Sequence, residues 1–283
     1  MEKNIKIKCP AKINLTLEIL NKREDGFHNI KSIMQMISLY DILTIKVSDS
    51  IKNCIKLSGD SDEIPYNDQN LVYRACELFL QNAGIENKSV EIYIEKNIPI
   101  SAGLAGGSTD AAGTIFGLNC LFEVFDNNQL NSMCAKLGSD LNVCLNGGCT
   151  LATSRGEITK KLPNIDSPVT LIKPKNLGIS AGYAYKKYSL KEIKPQNNKT
   201  EKMLISLLDG EDLSSSLYND LEYAVFDDFK ELQEIKSHYP DSIMSGSGST
   251  YFVLRNLDEC SLNDDYLMIN NLRFVSEGVS VFN

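Results

Sequence analysis

Apolar and polar residues alternate through several stretches of the chain, and this period of two is typical of half-buried β-strands. The alternation runs over residues 5–9 and 13–19, so the pattern predicts two strands on either side of Pro10. The first half of the chain therefore begins with β-structure. Further strands are predicted over residues 43–47, 54–57, 90–94, 169–172, 250–254 and 273–281.

Between these strands, apolar residues recur at helical spacing. The helix predicted over residues 68–83 stops at Gly84, a residue type common just after a helix. Other helices are predicted over residues 108–122, 128–137, 202–208 and 227–238. Because strands and helices are mixed in both halves, we expect an α+β fold.

Two polar segments interrupt these patterns. The first, residues 163–168, predicts a junction near residue 160 and hence two domains, 1–160 and 161–283. The second, residues 195–200, predicts a surface loop that serves as a spacer.

Composition and charge argue against several kinds of binding partner. The 283 residues carry a formal net charge of -8, which argues against nucleic acid because its phosphate backbone requires a basic face. No apolar stretch is long enough to span a bilayer, and the first residues alternate in polarity instead of forming a signal-peptide block. The eight cysteines are scattered and only two histidines are present, so buried thiols are favoured over a zinc site. We expect a cytoplasmic protein without a membrane partner.

A run of small residues over positions 99–112 links an alternating segment to a helical one. Gly103, Gly106 and Gly107 allow the backbone to approach a ligand closely, and the following helix directs unpaired N–H groups to the same place. The segment therefore predicts a cradle for the phosphates of a nucleoside triphosphate, although an ordinary loop before a helix has the same composition. It has neither the P-loop pattern nor the dinucleotide fingerprint.

Three other features of the sequence become candidates for function when they are considered together with this cradle. Residues 244–250 form a second glycine-rich element, which is either a tight turn or a further phosphate loop. Lys12 lies between apolar residues of a predicted strand, where a lysine is most often on the surface. Asp140 follows Gly138-Ser139, a place typical of a helix cap or a turn. Two such loops, one in each predicted domain, indicate a cleft that closes on one polyanionic ligand.

Taken in order and spacing, residues 10–15, 103–112 and 245–248 resemble the three motifs of the GHMP small-molecule kinases. The resemblance implies a two-domain α+β fold, with a ribosomal-protein-S5-like ATP-binding and catalytic domain, a ferredoxin-like substrate-binding domain and the active site between them. Residues 23–30, 70–72, 137–140 and 219–222 are similar to the GHMP kinases that phosphorylate 4-(cytidine 5'-diphospho)-2-C-methyl-D-erythritol in the non-mevalonate route to isoprenoid precursors.

The same resemblance implies roles for individual residues. Asp140 would be the base for the 2-hydroxyl of the substrate, and Lys12 would stabilise the charge beside it. ATP and Mg²⁺ would be required, with a hydroxyl of Ser108 or Thr109 as a magnesium ligand. The implied ATP-binding residues are Asn70, Leu71, Lys96, Pro99, Ala102, Gly103, Leu104, Ala105, Gly106, Gly107, Ser108 and Thr109.

For the cytidine end of the substrate, the resemblance implies stacking of the base between Phe27 and Tyr185, with His28 hydrogen-bonded to its edge. Lys186 would meet the diphosphate. Asn14 alternates with apolar residues, so it would face the cleft beside Lys12. Core packing of the two aromatic residues, or an exposed loop position for the histidine, would be the simpler interpretation.

The chain departs from the family pattern at a few positions. Ala105 replaces a usual glycine, Thr109 a common serine and Phe27 a frequent tyrosine. Other GHMP kinases, such as those acting on mevalonate or homoserine, remain alternatives. A nucleotide-binding protein without catalytic activity is an alternative of a different class.

Overall fold

The computed structural model describes residues 2–191 and 198–282, which form two β-sheets and the helices that cover them. The strands are β1 (Lys3–Lys22), β2 (His28–Asp49), β3 (Cys54–Gly59), β4 (Lys88–Glu95), β5 (Cys149–Ser154), β6 (Ile158–Lys161), β7 (Pro168–Pro174), β8 (Tyr218–Asn219), β9 (Ile243–Met244), β10 (Tyr251–Val253), β11 (Tyr266–Arg273) and β12 (Ser280–Val281). The helices are α1 (Leu71–Ala83), α2 (Gly106–Phe122), α3 (Asn127–Leu137), α4 (Leu141–Asn146), α5 (Ala181–Leu190), α6 (Lys199–Asp209), α7 (Asp220–Val225) and α8 (Lys230–His238), with 3₁₀ turns at Ser214–Ser216 and Phe226–Asp228.

β1 is one continuous strand, so the prediction of two strands separated by Pro10 is wrong. It pairs with β2 along most of its length, and the register shifts between Pro10 and Ala11. This irregularity accommodates a residue that has no backbone N–H to donate. Residues 9–19 are all buried, because other elements cover both faces of the strand. The burial brings Lys12 and Asn14 inside the molecule.

The first sheet has the order β12-β1-β2-β4-β3, with β5 beside β2, β6 beside β5, and β8 parallel to part of β1. Helix α2 packs closely on this sheet because glycines occupy two positions of the face that meets the strands. A Cβ atom at Gly113 would collide with Cys9 Sγ, and one at Gly117 would lie 2.7 Å from Ile45 Cδ1. The helix that follows the predicted phosphate cradle is therefore fixed directly against the core strands.

The second sheet is antiparallel, in the order β11-β7-β10-β9. The strand predicted over residues 273–281 is wrong, because β11 ends at Arg273. The backbone N–H groups that follow bond to separate segments, from Val275 to Met36 O and from Val279 to Cys144 O. Phe274 and Val279 are thus buried between other elements, and the chain forms a strand again only at Ser280–Val281, which is β12.

The predicted boundary near residue 160 separates the strands incompletely. β1 to β6 belong to the first sheet and β7 begins the second at Pro168, but β8 and β12 return to the first sheet. Within the predicted spacer, residues 195–197 lie outside the described residues, and α6 begins at Lys199. No helix in the part of the chain that the structure describes has both the length and the apolarity needed to cross a bilayer.

Candidate active site

The segment between β4 and α2 forms a tight loop whose backbone departs repeatedly from ordinary angles. Ser101, Gly103 and Ala105 have φ of 51°, 74° and 60°. The left-handed value at Ala105 explains why glycine suits this position, since a side chain is strained there. Among the described residues no side chain caps α2 at Ala105, so N–H groups of its first turn are open to a ligand.

Lys12 meets this loop from β1. Its side chain is 3% exposed, so the interpretation as a surface lysine is wrong. The ammonium donates to Asn14 Oδ1 at 2.7 Å and to the Gly103 carbonyl oxygen at 2.9 Å. Asn14 in turn donates to Ser32 Oγ at 2.9 Å, which fixes the amide orientation. The bonds hold the ammonium at a defined point of the loop.

Asp140 lies across from Lys12, at the first residue of the turn that leads into α4. Its Oδ2 is 3.8 Å from Lys12 Nζ, and its side chain is 31% exposed. The residue occupies the N-cap position, but its carboxylate makes no capping bond within the described residues. A carboxylate that is left uncommitted beside a buried ammonium is available to accept a proton from a bound alcohol.

The second glycine-rich element, residues 244–249, packs against the first. A Cβ atom on Gly103 would collide with the carbonyl oxygen of Ser245, and Ser245 Oγ donates to Gly103 O at 3.0 Å. A Cβ atom on Gly246 would lie 3.1 Å from Lys12 Nζ. The two loops and the lysine thus converge on one place, as the sequence motifs led us to expect.

A cavity of about 800 Å³ opens from this place and joins two groups of polar residues. The sequence predictions supply many of its lining residues, which are Lys12, Asn14, Phe27, His28, Gly103, Ala105, Ser108, Asp140, Tyr185 and Lys186. Lys22 and Arg155 also line it and were missed by the sequence analysis. Neither residue stands in a recognisable motif, so no signal in the sequence singled them out.

The lining of the same cavity also contains an aromatic pair, in which the ring of His28 stacks on Tyr185 with centroids 5.3 Å apart and planes 18° apart. Burial, followed by the positive charge of Lys22, lowers the pKa of His28, which favours a neutral ring that can both donate and accept. Phe27 is 53% exposed and lies under the Arg155 guanidinium, 5.2 Å from its carbon. Tyr185 therefore faces His28, whereas Phe27 stands apart with its ring open to a ligand.

Among the predicted ATP-binding residues, Asn70, Leu71, Lys96 and Pro99 do not line this first cavity. Lys96 and Pro99 line a second cavity, of about 280 Å³, formed by the start of the loop that also borders the first. Asn70 caps α1 by accepting from Val72 N, and its amide donates to Pro65 O at 2.8 Å. Leu71 begins that helix.

Lys96 is enclosed by two acidic side chains, so its ammonium already has partners. It contacts Asp41 Oδ2 and lies 2.9 Å from Asp110 Oδ2. Burial, followed by the charge of Asp41, raises the pKa of Asp110 to about 8. Asp41 Oδ1 also accepts from the N–H groups of Asn97 and Ile98, which fixes the chain just before the loop.

Several members of the predicted cradle are oriented into the core. Ala102 and Leu104 are 2% and 1% exposed, and Thr109 is completely buried, with its hydroxyl near the Cys144 thiol. Ser108 lines the first cavity, so the two hydroxyls suggested for a metal are not equivalent. Among the described residues, no three His, Cys, Asp or Glu side chains form a group that could hold a metal.

Comparison with known proteins gives a consistent result. A model of the GHMP kinases N-terminal domain matches residues 70–150. A 4-diphosphocytidyl-2-C-methyl-D-erythritol kinase of Syntrophomonas wolfei is 38% identical over 256 residues, which is 88% of each chain. The enzyme of the same name from Clostridioides difficile is 40% identical over 264 residues, 88% of this chain and 86% of that one.

Solved structures agree with these relatives. A crystal structure of 4-(cytidine 5'-diphospho)-2C-methyl-D-erythritol kinase superposes with a TM-score of 0.72 at 32% identity, covering 90% of each chain. Homoserine kinase from Cytophaga hutchinsonii superposes with a TM-score of 0.75 at 17% identity, covering 99% of this chain and 97% of that one. This likeness shows a shared fold only. The α+β two-domain GHMP fold expected from the motifs is confirmed. The chain belongs to the 4-diphosphocytidyl-2-C-methyl-D-erythritol kinase family of the GHMP kinases.

Proposed function

We propose that this protein transfers the γ-phosphoryl group of ATP to the 2-hydroxyl of 4-(cytidine 5'-diphospho)-2-C-methyl-D-erythritol. The observation that carries the proposal is the single cavity of about 800 Å³ that joins the Lys12–Asp140 pair to the His28–Tyr185 stack. The Lys12–Asp140 pair is suited to a reacting hydroxyl and a phosphate, and the His28–Tyr185 pair to a flat heterocycle. A substrate that carries both an alcohol and a nucleobase would fill this length.

The ATP phosphates would lie over the N-terminus of α2, where no side chain of the described residues caps the first turn at Ala105 and where Ala105 and Ser108 line the first cavity. Its purine would extend toward the smaller cavity, which Lys96 and Pro99 line. Support comes from the position of the loop, which borders both cavities. Because the Lys96 ammonium is held by Asp41 and Asp110, its aliphatic stem would form the wall of this site.

In the reaction, the 2-hydroxyl oxygen attacks the γ-phosphorus, the bond to the β-phosphate oxygen breaks, and ADP leaves. Asp140 accepts the hydroxyl proton as the new phosphate ester forms. Lys12 donates toward the developing negative charge and, through its bond to Gly103, keeps the loop in place. Catalysis would come mainly from orientation and charge stabilisation, as is general for phosphoryl transfer.

Magnesium would enter with the nucleotide. Mg²⁺ commonly takes one or two protein oxygens together with substrate phosphates and water. The Ser108 hydroxyl and the Asp140 carboxylate both line the first cavity, so oxygen donors of the right kind are present. The ion would neutralise charge on the transferring phosphates. Thr109, with its hydroxyl buried near Cys144, does not fit this role.

Where the aromatic residues line the cavity, His28 would hydrogen-bond the edge of the cytosine, and the ring of the base would lie among Phe27, His28 and Tyr185. Opening of the His28–Tyr185 stack, or rotation of the exposed Phe27 ring, would admit the base between the two aromatic residues. The basic side chains Lys22, Arg155 and Lys186 line the same cavity and complement the two negative charges of the diphosphate.

A coupled assay of ADP release tests the proposal. The purified protein is incubated with Mg-ATP in three parallel reactions, which contain the cytidylyl substrate, mevalonate or homoserine as the phosphate acceptor. We expect turnover only with the cytidylyl substrate, and we expect Asp140→Asn to abolish it while binding of a non-hydrolysable ATP analogue persists. Turnover of mevalonate or homoserine instead would identify another GHMP activity, and ATP binding without phosphorylation of any alcohol would support the non-catalytic alternative.

A further inference from the structure

The segment Asn219–Glu222 is buried beside the active site, yet no step of the proposed reaction uses it. Asn219 and Asp220 are completely buried and Glu222 is 7% exposed. The segment joins the end of β8 to the start of α7, and β8 runs parallel to β1 opposite Thr16 and Leu17. Three polar side chains buried within four residues need hydrogen-bond partners, so these partners indicate what the segment holds in place.

The Asn219 side chain is satisfied on both of its ends. Its Nδ2 donates to the carbonyl oxygens of Met244 at 2.6 Å and Gly246 at 2.8 Å, which lie on either side of Ser245. Its Oδ1 accepts from Leu221 N at 2.9 Å and caps α7. A single amide thus clamps the beginning of the second glycine-rich turn to a helix end.

The next polar residues extend the same attachment. Glu222 Oε2 accepts from Met244 N at 2.9 Å, and its other oxygen pairs with Lys236 Nζ at 3.2 Å. Asp220 Oδ2 accepts from Ile19 N at 2.7 Å and so fastens the segment to β1, the strand that carries Lys12. Both the glycine-rich turn and the strand that carries Lys12 are therefore hydrogen-bonded to the same segment, Asn219–Glu222.

The clamped turn reaches the reacting groups directly. Ser245 Oγ donates to Gly103 O, the same oxygen that receives the Lys12 ammonium, and Gly246 approaches Lys12 so closely that any side chain would contact it. We propose that Asn219 is a positioning residue that holds the turn of residues 245–248 at the distance from Gly103 and Lys12 required for phosphoryl transfer. This inference rests on the proposed kinase activity.

Asn219→Asp tests it. The substitution keeps an oxygen that accepts from Leu221 N. It replaces the Nδ2 donor by a second carboxylate oxygen, which cannot donate to the carbonyl groups of Met244 and Gly246. We expect kcat to fall at least tenfold at pH 8, with the KM for the cytidylyl substrate within twofold of the wild-type value, because the Asn219 side chain bonds to Met244, Gly246 and Leu221 and to neither His28 nor Tyr185. A protonated carboxyl can donate one bond, so the ratio of variant to wild-type kcat should rise when the pH is lowered to 6.

Asn270→Asp is the matched control. Asn270 is also partly buried in a polar network, where its Oδ1 accepts from Leu257 N and its Nδ2 donates to Leu257 O, outside both cavities. We expect it to lower stability while kcat stays within twofold. Hydrogen exchange at residues 244–248 should accelerate in Asn219→Asp and not in the control.

If Asn219→Asp does not fold, Ser245→Ala decides, because it removes only the contact between the turn and Gly103. We expect the same loss of kcat with an unchanged KM. Wild-type-like kcat in either folded variant would overturn the inference. A wild-type protein that is inactive would instead refute the proposed function, and the hydrogen-exchange comparison would still decide whether Asn219 holds the turn.

Discussion

Replacement of Lys12 by methionine should slow the chemical step far more than it weakens nucleotide binding. Methionine has a similar length but no charge, so Lys12→Met removes the ammonium from a fully enclosed position of β1. The ammonium is 3.8 Å from Asp140 Oδ2, and the reacting hydroxyl would lie near both. The energy of a unit charge at this distance sets the size of the effect.

Two charges 3.8 Å apart interact by about 4 kcal/mol at an effective dielectric constant of about 20, and by about 1 kcal/mol in bulk water. Because the Asp140 side chain is 31% exposed, solvent screens part of this interaction. A loss of about 2–3 kcal/mol in the transition state corresponds to a decrease in kcat of about 30- to 150-fold. Gly103 O and Asn14 Oδ1 also lose a donor, which lowers stability by about 1–3 kcal/mol.

The measurement is kcat from coupled ADP release, together with calorimetric titration of a non-hydrolysable ATP analogue. Lys31→Met is the control, because Lys31 lies on the neighbouring strand and pairs with Glu201, outside both cavities. We expect its kcat to stay within twofold of the wild-type value. A kcat for Lys12→Met within threefold of an active wild-type enzyme would refute the reasoning.

Other expected outcomes concern binding, loop geometry and buried charge. His28→Ala should raise the KM for the cytidylyl substrate about tenfold with little change in kcat, and an unchanged KM would remove His28 from the site. Ala105→Gly should relieve the left-handed backbone and raise the free energy of unfolding by about 1 kcal/mol in urea titrations, whereas a loss of stability would contradict the strain. Asp110 keeps its proton in the folded state up to pH of about 8, so its contribution to stability falls as the pH rises from the unfolded carboxyl value. The stability of Asp110→Asn relative to wild type should therefore increase between pH 5 and pH 8 and level off above, and a constant difference across that range would argue against the raised pKa.

The sequence predicted the elements whose patterns are local and strong. The helix expected over residues 108–122 is α2, and the one over 128–137 is α3, each within two residues at its start. Helix α5, which carries Tyr185, was not predicted because Ala181-Gly182 weakens the helical pattern at its start. Short helices such as α4 have too few turns to show a period.

Within the candidate site, the sequence motifs located Lys12, Asp140 and the two glycine-rich loops, because these residues have fixed positions in the motifs. What they could not give were the partners that folding brings from afar. Lys96 was predicted only as an ATP-binding residue, yet its ammonium lies between Asp110 and Asp41, the latter 55 residues away in the sequence. Lys22 and Arg155 have no recognisable pattern around them, and only the folded chain brings both to the cavity.

The return of β8 and β12 to the first sheet has a consequence for synthesis on the ribosome. Both strands border β1 on the side opposite β2, and both are translated long after the rest of that sheet. A nascent chain that ends near residue 160 would thus present the strand of Lys12 as an open edge, and open edges invite pairing with other chains. Chaperones that shield such edges should matter more to this protein during translation than its modest length would indicate.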